Sequence, residues 1–126
     1  MAPALEIVER RGDFTADLAL ALADNAQQKA FVTGVAVPPG GLDLAEVTLD
    51  LSVNGVVQER ARGAEVLGTP VASIAWLANK LAEFGRRLEA GARVMSGSFT
   101  KQYDVNRGDA VKARFEPLGL VSTEFR

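Results

Sequence analysis

The chain has 126 residues, 48% of them hydrophobic and 24% charged, which is the balance of one folded domain rather than of a disordered tail. Fourteen basic against sixteen acidic residues give a net charge of -2 with no Lys/Arg block, so we expect no nucleic acid or anionic membrane partner. Cysteine and histidine are both absent. Their absence excludes disulfides, thiolate metal sites and nucleophilic catalysis through a histidine base.

The longest apolar runs fall far short of the ~20 residues that span a bilayer, and the N-terminal residues do not read as a leader. The sequence therefore predicts a cytoplasmic protein.

Residues 3 to 9 predict a short first strand. The alternation puts Leu5 and Ile7 on one face and Ala4, Glu6 and Val8 on the other. The Ala/Leu-rich segment 13 to 28 predicts a partly helical stretch, and residues 29 to 37 predict a second strand that ends at Pro38, Pro39, Gly40 and Gly41.

Residues 47 to 61 predict a β-hairpin. Val47, Leu49, Leu51 and Val53 alternate with polar residues, and Asn54 with Gly55 supplies the two residues that tolerate positive φ in a type I′ turn. The return strand is predicted to run from Val56 to about Ala61.

Residues 69 to 91 predict the single long helix. Thr69 suits the N-cap and Pro70 the first helical position, while Gly85 suits a left-handed end, with one more turn to Gly91 as the alternative. Trp76 is expected in the core with its apolar neighbours, not in a site. Apolar residues recur at helical spacing in this stretch: Ile74, Leu77, Ala78, Leu81 and Phe84.

The remaining residues, 92 to 126, predict strands with turns at 106 to 109 and 117 to 119. The predicted class is thus mostly β (α+β), one domain over residues 1 to 126 with one long covering helix.

Glu6 is the first candidate for chemistry. A carboxylate in an apolar strand is costly to bury unless a cation, a metal or hydrogen bonds compensate it. The structural alternative is that Glu6 reaches water at a strand edge or pairs with Arg10 or Arg11. From the residues alone this alternative is the stronger one, because Mg²⁺ needs further oxygen ligands and no Glu-x-Glu or Asp-x-Asp pair lies nearby.

Two further groups of polar residues are candidates. Ser96, Ser98 and Thr100 can present hydroxyls to an anionic substrate, or can form a plain turn. Asp24, Asn25 and Gln27 can orient a substrate, or can cap a helix end. For both groups the residues alone favour the structural reading.

The order of several segments goes further than these patterns. The segments "ALEIVERR", "ADNA", "FVTG", "GAEVLGTPVASIAWLANKLAEFGRRLEAGARVMSGSFT", "GDAVKARF" and "LGLVSTEF" resemble the C-terminal half of 2-keto-4-pentenoate hydratases in the fumarylacetoacetate hydrolase superfamily. The resemblance covers nearly the whole chain, and its most specific part is the block from Gly63 to Thr100. It implies a mixed β-sandwich or β-roll fold, of which this chain would form one part.

The resemblance also implies a site. These enzymes bind one Mg²⁺ or Mn²⁺ through three acidic side chains, and the third acid matches Glu6. The other two, a Glu-x-Glu pair on an upstream strand, and an upstream lysine are not in this sequence, so we expect the isolated chain to be a poor hydratase. Gln27 stands where the family usually has a serine, which leaves the reaction open.

The implied reaction is addition of water to 2-hydroxypenta-2,4-dienoate, a small 2-hydroxy acid, in the degradation of aromatics or steroids. The alternatives are a 2-oxo-3-hexenedioate decarboxylase-like enzyme and a non-catalytic binding or assembly module. Because half of a sandwich leaves apolar faces and strand edges unpaired, we expect a homo-oligomer or a partner that supplies the N-terminal half.

Overall fold

The protein is described by a computed structural model covering residues 1–13 and 17–126. The part of the predicted helical segment at residues 14 to 16 lies outside the described residues. In chain order the elements are β1 (Ala4–Val8), α1 (Leu18–Ala23), β2 (Gln28–Thr33), β3 (Thr48–Val53), β4 (Val56–Arg62), α2 (Pro70–Glu83), β5 (Ala110–Glu116) and β6 (Gly119–Glu124).

Two antiparallel sheets carry the fold. The larger has the strand order β4-β3-β5-β6, and the smaller pairs β1 with β2. In β5 the burial alternates strictly, with Val111, Ala113 and Phe115 inside and the residues between them exposed. One face of the four-stranded sheet therefore forms the core and the other faces solvent, as period-two patterning requires.

The core contains seven buried side chains, six from the larger sheet and one from Val47, which directly precedes β3. Leu5 and Val32 of the smaller sheet pack against these side chains. The two sheets come close at Gly34, where a Cβ would stand only 2.3 Å from the Leu120 carbonyl oxygen. A side chain at position 34 would separate the sheets. The buried core residues are Val47, Leu49, Leu51, Val111, Ala113, Phe115 and Val121.

The hairpin prediction is confirmed. β3 and β4 pair through Asn54 and Gly55, whose φ values of 51° and 80° are those of a turn with two left-handed residues. Asn54 also ties the hairpin tip to the start of β5, because its Nδ2 donates to Asp109 Oδ1 at 2.8 Å and its Oδ1 accepts from the Ala110 N–H at 2.9 Å.

The long helix is confirmed over Pro70–Glu83, and Gly85 follows with φ 65°, so the helix does not continue to Gly91. Thr69 occupies the N-cap but makes no side-chain capping bond. The expected core position of Trp76 is wrong, since 60% of its surface is exposed. Among the described residues none of the side chains packed on the core comes from α2, so this helix does not cover the sheet.

Two strand predictions need correction. β2 ends at Thr33 rather than at residue 37, although Gly34 N–H donates to the Pro3 carbonyl and Val37 N–H to the Met1 carbonyl, so backbone pairing continues irregularly. Residues 92 to 105 form no strand. They instead cross the core irregularly, with Phe99 packed edge-on against Phe115 at a centroid distance of 5.4 Å.

No α-helix within residues 1–13 and 17–126 has both the length and the apolar character needed to cross a membrane.

Candidate functional site

Glu6 lies in the middle of β1, directly opposite Phe31 of β2. Because Leu5 and Val32 point to the core, strand alternation places Glu6 on the opposite, exposed face of the small sheet. The alternative in which Arg10 or Arg11 neutralises it does not occur: Arg11 pairs with Glu9 and Asp24. The Glu6 carboxylate therefore faces outwards, without an ion-pair partner among the described residues.

The described residues do not assemble a metal site around Glu6. Within them no three acidic, histidine or cysteine side chains are grouped closely enough to hold an ion. Mg²⁺ prefers six oxygen ligands and gives up its waters reluctantly, so one carboxylate is a weak site. Glu6 is thus one candidate ligand that needs others.

A strained turn follows α1. Asp17 caps the start of this helix by accepting from the Leu20 N–H at 2.9 Å, and Asp24 ends it. Asn25, Ala26 and Gln27 then adopt φ values of 56°, 50° and 64° in succession. We call Asn25–Gln27 the left-handed turn.

Left-handed backbone costs an L-residue about 1–2 kcal/mol, and three consecutive residues carry that cost here. Such strain persists only where surrounding contacts impose it, and it concentrates at functional sites. The sequence indicates Asp24, Asn25 and Gln27 as candidates but does not predict this backbone conformation. The tolerance of asparagine for positive φ was the one available signal.

The register of the small sheet places the left-handed turn beside the end of β1, the strand that carries Glu6. Val8, two residues along β1 on the same face as Glu6, pairs with Gln28, and the pairing slips by one residue between Ile7 and Val8. The Glu9 N–H donates to the Gln27 carbonyl at 3.0 Å. At ~3.3 Å per strand residue, Gln27, the end of the turn nearest to β1, lies about 10 Å along the strand from Glu6.

The guanidinium of Arg11 binds both ends of the left-handed turn. Its Nε donates to the two carboxylate oxygens of Asp24 at 3.1 and 3.2 Å, and its Nη2 donates to Asp24 Oδ2 at 2.8 Å. The same Nη2 lies 3.1 Å from the Asp24 carbonyl oxygen and 3.4 Å from that of Gln28. Residues 24 and 28 flank the turn, so one side chain holds both flanks.

The positive charges of Arg11 and Lys29 are balanced by the carboxylates of Glu9 and Asp24. Glu9 accepts from Lys29 Nζ at 2.9 Å and lies 3.5 Å from Arg11 Nη1. Lys29 chiefly, and Arg11 to a lesser extent, lower the pKa of Glu9 below its ordinary value. The hydrogen bonds to Asp24 are the main cause of a raised pKa of Arg11.

The three candidate side chains at the turn differ in what they can do. Both Asp24 carboxylate oxygens accept from Arg11, so they are occupied. Asn25 Nδ2 donates to Gln28 Oε1 at 2.9 Å, while Gln27 is half-buried and has no side-chain hydrogen bond among the described residues. Amides form hydrogen bonds but do not exchange protons as bases, so this turn is suited to orienting a substrate.

No hydrogen bond or ion pair among the described residues joins the candidates at 96 to 100 to Glu6 or to the left-handed turn. Ser98 Oγ donates to the Thr100 carbonyl at 2.7 Å and accepts from the Thr100 N–H at 3.2 Å. The Ser96 carbonyl accepts from Ser73 Oγ of α2. Ser98 thus stabilises a local turn, which is the alternative to substrate binding that the sequence left open for these residues.

Tyr103 is the one tyrosine of the chain and a possible acid in a protein without histidine. Its hydroxyl donates to Glu59 Oε2 at 2.7 Å. That hydrogen bond is the main reason why the pKa of Tyr103 is raised above its ordinary value. Pairing of Tyr103 with Glu59 was not predicted, because the two residues are far apart in the sequence.

Comparison with known proteins connects this geometry to a family. The chain is 38% identical over 125 residues to a 4-oxalocrotonate decarboxylase of Pseudomonas putida, covering 98% of this chain and 47% of that protein. It is 36% identical over 127 residues to a 2-keto-4-pentenoate hydratase of Paraburkholderia xenovorans (strain LB400), covering 99% of this chain and 47% of the relative. The chain spans about half the length of the curated relatives it matches.

Solved structures agree with the sequence comparison. A 4-oxalocrotonate decarboxylase from Pseudomonas putida G7, complexed with magnesium and adipate, superposes with a TM-score of 0.92 at 36% identity over 99% of this chain and 48% of that one. The same enzyme complexed with calcium and acetate gives a TM-score of 0.91. The expected fold, a part of the fumarylacetoacetate hydrolase type, is confirmed.

The family described as fumarylacetoacetate (FAA) hydrolase C-terminal matches residues 1–126, the full length of the chain. With relatives above 35% identity over nearly all of these residues, the chain belongs to the fumarylacetoacetate hydrolase C-terminal family.

Proposed function

We propose that the protein acts as a 2-keto-4-pentenoate hydratase-like enzyme, adding water to 2-hydroxypenta-2,4-dienoate to give 4-hydroxy-2-oxopentanoate. The observation that carries the proposal is an exposed, unpaired Glu6 on β1, the strand whose continuation at Glu9 is hydrogen-bonded to Gln27 of the left-handed turn. Membership of a family whose relatives include hydratases supports it.

In this proposal the left-handed turn orients the substrate. The free amide of Gln27 is the group best placed to hydrogen-bond a carboxylate or enol oxygen, and Asn25 supplies a second amide. Asp24, whose oxygens are occupied by Arg11, acts by shaping the turn rather than as a base. Ser96 and Thr100 remain proposed substrate contacts, and Ser98 contributes through the turn that it stabilises.

Glu6 is proposed as one carboxylate ligand of a divalent cation, Mg²⁺ or Mn²⁺. The relative from Pseudomonas putida G7 has structures with magnesium and with calcium, which supports a hard cation. Because the described residues supply one carboxylate where such an ion needs several oxygens, the remaining ligands have to come from outside them. A partner polypeptide or a further segment is therefore part of the proposal, as is a cytoplasmic location.

A decarboxylase-like activity on 2-oxo-3-hexenedioate is the second candidate. It is favoured by the similarity to 4-oxalocrotonate decarboxylases, at 38% identity in the curated sequence and a TM-score of 0.92 at 36% identity in the solved structure. Gln27 bears on the choice, since it lies in the turn nearest to Glu6 and replaces the serine expected from the hydratase resemblance.

An enzyme assay with two substrates tests the proposal. The 126-residue chain is assayed with Mg²⁺ by itself and after co-expression with the N-terminal portion of the Paraburkholderia xenovorans hydratase. We expect loss of the dienol absorbance in the co-expressed preparation and little turnover without it, because the isolated chain offers one carboxylate. Product NMR separates hydration from decarboxylation.

Three outcomes decide between the candidates. Release of carbon dioxide from 2-oxo-3-hexenedioate, without hydration of the dienol, favours the decarboxylase. Full Mg²⁺-dependent turnover by the isolated chain contradicts the need for further ligands. Absence of both activities and of Mg²⁺ binding in the co-expressed preparation favours a non-catalytic binding or assembly module.

A further inference from the structure

Three consecutive left-handed residues without a glycine need an external restraint. Ala26, in the middle of the turn, has no polar side chain to stabilise its own backbone. Across the turn, the Gln28 backbone N–H donates a hydrogen bond to the Asn25 carbonyl. The Asn25 side chain adds a hydrogen bond to Gln28 at one flank, and the side chain that reaches both flanks from outside the turn is that of Arg11.

The geometry suits arginine and no other residue. A guanidinium presents several N–H groups in one rigid plane and can bind a carboxylate with two bonds while a third donor reaches a carbonyl. Arg11 uses this capacity on the Asp24 carboxylate and on the carbonyls of Asp24 and Gln28. A lysine at position 11 would keep the charge but could not make these bonds together.

The arginine is itself held in place. Arg11 lies three residues beyond the end of β1, and the Glu9 N–H, two residues before it, donates to the Gln27 carbonyl. The guanidinium forms ion pairs with Glu9 and with Asp24, and Glu9 also accepts from Lys29. The residues that continue β1 beyond Val8 thus fasten the turn to the strand that carries Glu6.

We propose that Arg11 is a positioning residue that holds the left-handed turn Asn25–Gln27 in its conformation and through it sets the direction of the Asn25 and Gln27 amides towards the substrate. The role of Arg11 in holding the turn follows from its hydrogen bonds to Asp24 and Gln28. Its role in directing the two amides towards the substrate rests on the proposed function.

Arg10 provides a matched control. It is the neighbouring residue, has the same charge, is exposed, and makes no side-chain hydrogen bond or ion pair within residues 1–13 and 17–126. Replacement of either arginine by glutamine changes the net charge equally. A difference between R11Q and R10Q therefore reports the contacts of Arg11 and not its charge.

The first measurement is NMR on the 126-residue chain and its variants R11Q, R11K and R10Q. Carbon chemical shifts and the amide–Hα couplings of residues 25 to 27 report positive φ. In R11Q we expect loss of these signatures, and amide exchange at Glu9 and Gln28 faster by about tenfold or more, since charge-assisted bonds are lost. R10Q should match the parent chain.

The second measurement uses the co-expressed preparation defined above. In R11Q we expect kcat to fall about tenfold or more while KM changes by less than about threefold, because misdirected amides weaken transition-state contacts more than binding. R11K should recover part of kcat, and R10Q should behave as the parent. A purely structural role of Arg11 would lower the amount of folded protein without this separation of kcat from KM.

Each result decides the proposal. Shifts and exchange rates in R11Q equal to those in R10Q would overturn it, as would an unchanged kcat in R11Q despite a reorganised turn. If R11Q loses the NMR signals of the core residues Ala113 and Val121, this variant is unfolded. R11K is then compared with R10Q in its place. If the co-expressed parent is inactive, the proposed function and the substrate role of Arg11 fail together, while the NMR comparison still decides whether Arg11 holds the turn.

Discussion

At the scale of single residues, the contrast between Glu6 and the other acids of the small sheet is informative. Glu9 and Asp24 have cationic partners at 2.9 and 2.8 Å, whereas Glu6 has none among the described residues. Alternation along β1 was sufficient to predict which face Glu6 occupies. The partners of Arg11 were not predictable, because they depend on where β2 begins relative to β1.

Replacement of Glu6 by glutamine should separate binding from stability. Because the carboxylate is exposed and unpaired, we expect E6Q to change the free energy of unfolding by less than about 0.5 kcal/mol. Mn²⁺ affinity of the co-expressed preparation, measured by electron paramagnetic resonance, should fall at least about tenfold, since even outer-shell partners of metal ligands contribute that much.

The control for this variant is Glu65→Gln. Glu65 is also exposed and makes no side-chain bond within the described residues. The E65Q replacement should alter neither the free energy of unfolding nor the Mn²⁺ affinity. Equal Mn²⁺ affinity in E6Q and E65Q would remove Glu6 from the metal site.

At the scale of elements, the tip of the β3–β4 hairpin is joined to β5 by a polar cluster. Asp109 accepts from Asn54 Nδ2 through one carboxylate oxygen and from the Asn106 N–H, at 2.7 Å, through the other. The bond from Asn106 chiefly, and then that from Asn54, lower the pKa of Asp109 below its ordinary value. This cluster fixes the turn at 106 to 109 that the sequence predicted.

The lowered pKa of Asp109 gives a pH dependence with a definite sign. A carboxyl whose pKa is lower in the folded state stabilises the fold above its unfolded pKa of ~3.9, and this stabilisation is lost as the pH falls through the lower folded value. Asp109→Asn should therefore reduce the melting temperature at pH 7, and its difference from the parent should shrink below about pH 4.

The matching control is Asp104→Asn. Asp104 is exposed and has no recorded side-chain partner in the described ranges. Thermal melts from pH 7 down to pH 2.5 on the three proteins make the comparison. A D109N deficit that stays constant across this range, or one that D104N shares, would contradict the assignment.

At the scale of the whole molecule, both helices leave apolar residues in contact with solvent. Leu18 and Leu22 of α1 are 73% and 66% exposed, and Trp76 and Phe84 at α2 are 60% and 71% exposed. Large exposed apolar groups of this number are typical of surfaces that another polypeptide covers. The chain spans 47–48% of the relatives it matches.

Trp76 is the single tryptophan of the chain, so its fluorescence reports this surface directly. In the isolated 126-residue chain at low concentration we expect efficient quenching by acrylamide, because most of the indole is exposed. Quenching should decrease when the chain associates with itself or with the co-expressed N-terminal portion. Light scattering at working concentration should give a mass above 13.4 kDa.

Trp76→Gln should weaken this association, whereas Val35→Gln, at a residue 81% exposed outside the helices, should not. A monodisperse 13.4 kDa species at every concentration, together with unprotected Trp76 in the co-expressed preparation, would contradict an interface at α2.

The sequence by itself determined the features that depend on neighbouring residues. Period-two alternation located the faces of β1, β3 and β5, Asn54 with Gly55 located the hairpin turn, and Pro70 with Gly85 bounded α2. These signals are local, because strand alternation, turn conformation and helix ends each depend on a few adjacent residues. The order of motifs added the family.

Only the tertiary structure decided which distant groups meet. The clamp of Arg11 on both flanks of the left-handed turn, the pair of Tyr103 with Glu59, and the exposure of Trp76 depend on the register and packing of separate segments. Apolar residues at helical spacing identify the apolar face of a helix. They do not show whether the same chain provides a surface against which that face packs. On the predicted apolar face of α2, Ile74, Leu77, Ala78 and Leu81 are half-buried, whereas Phe84 at its end is 71% exposed.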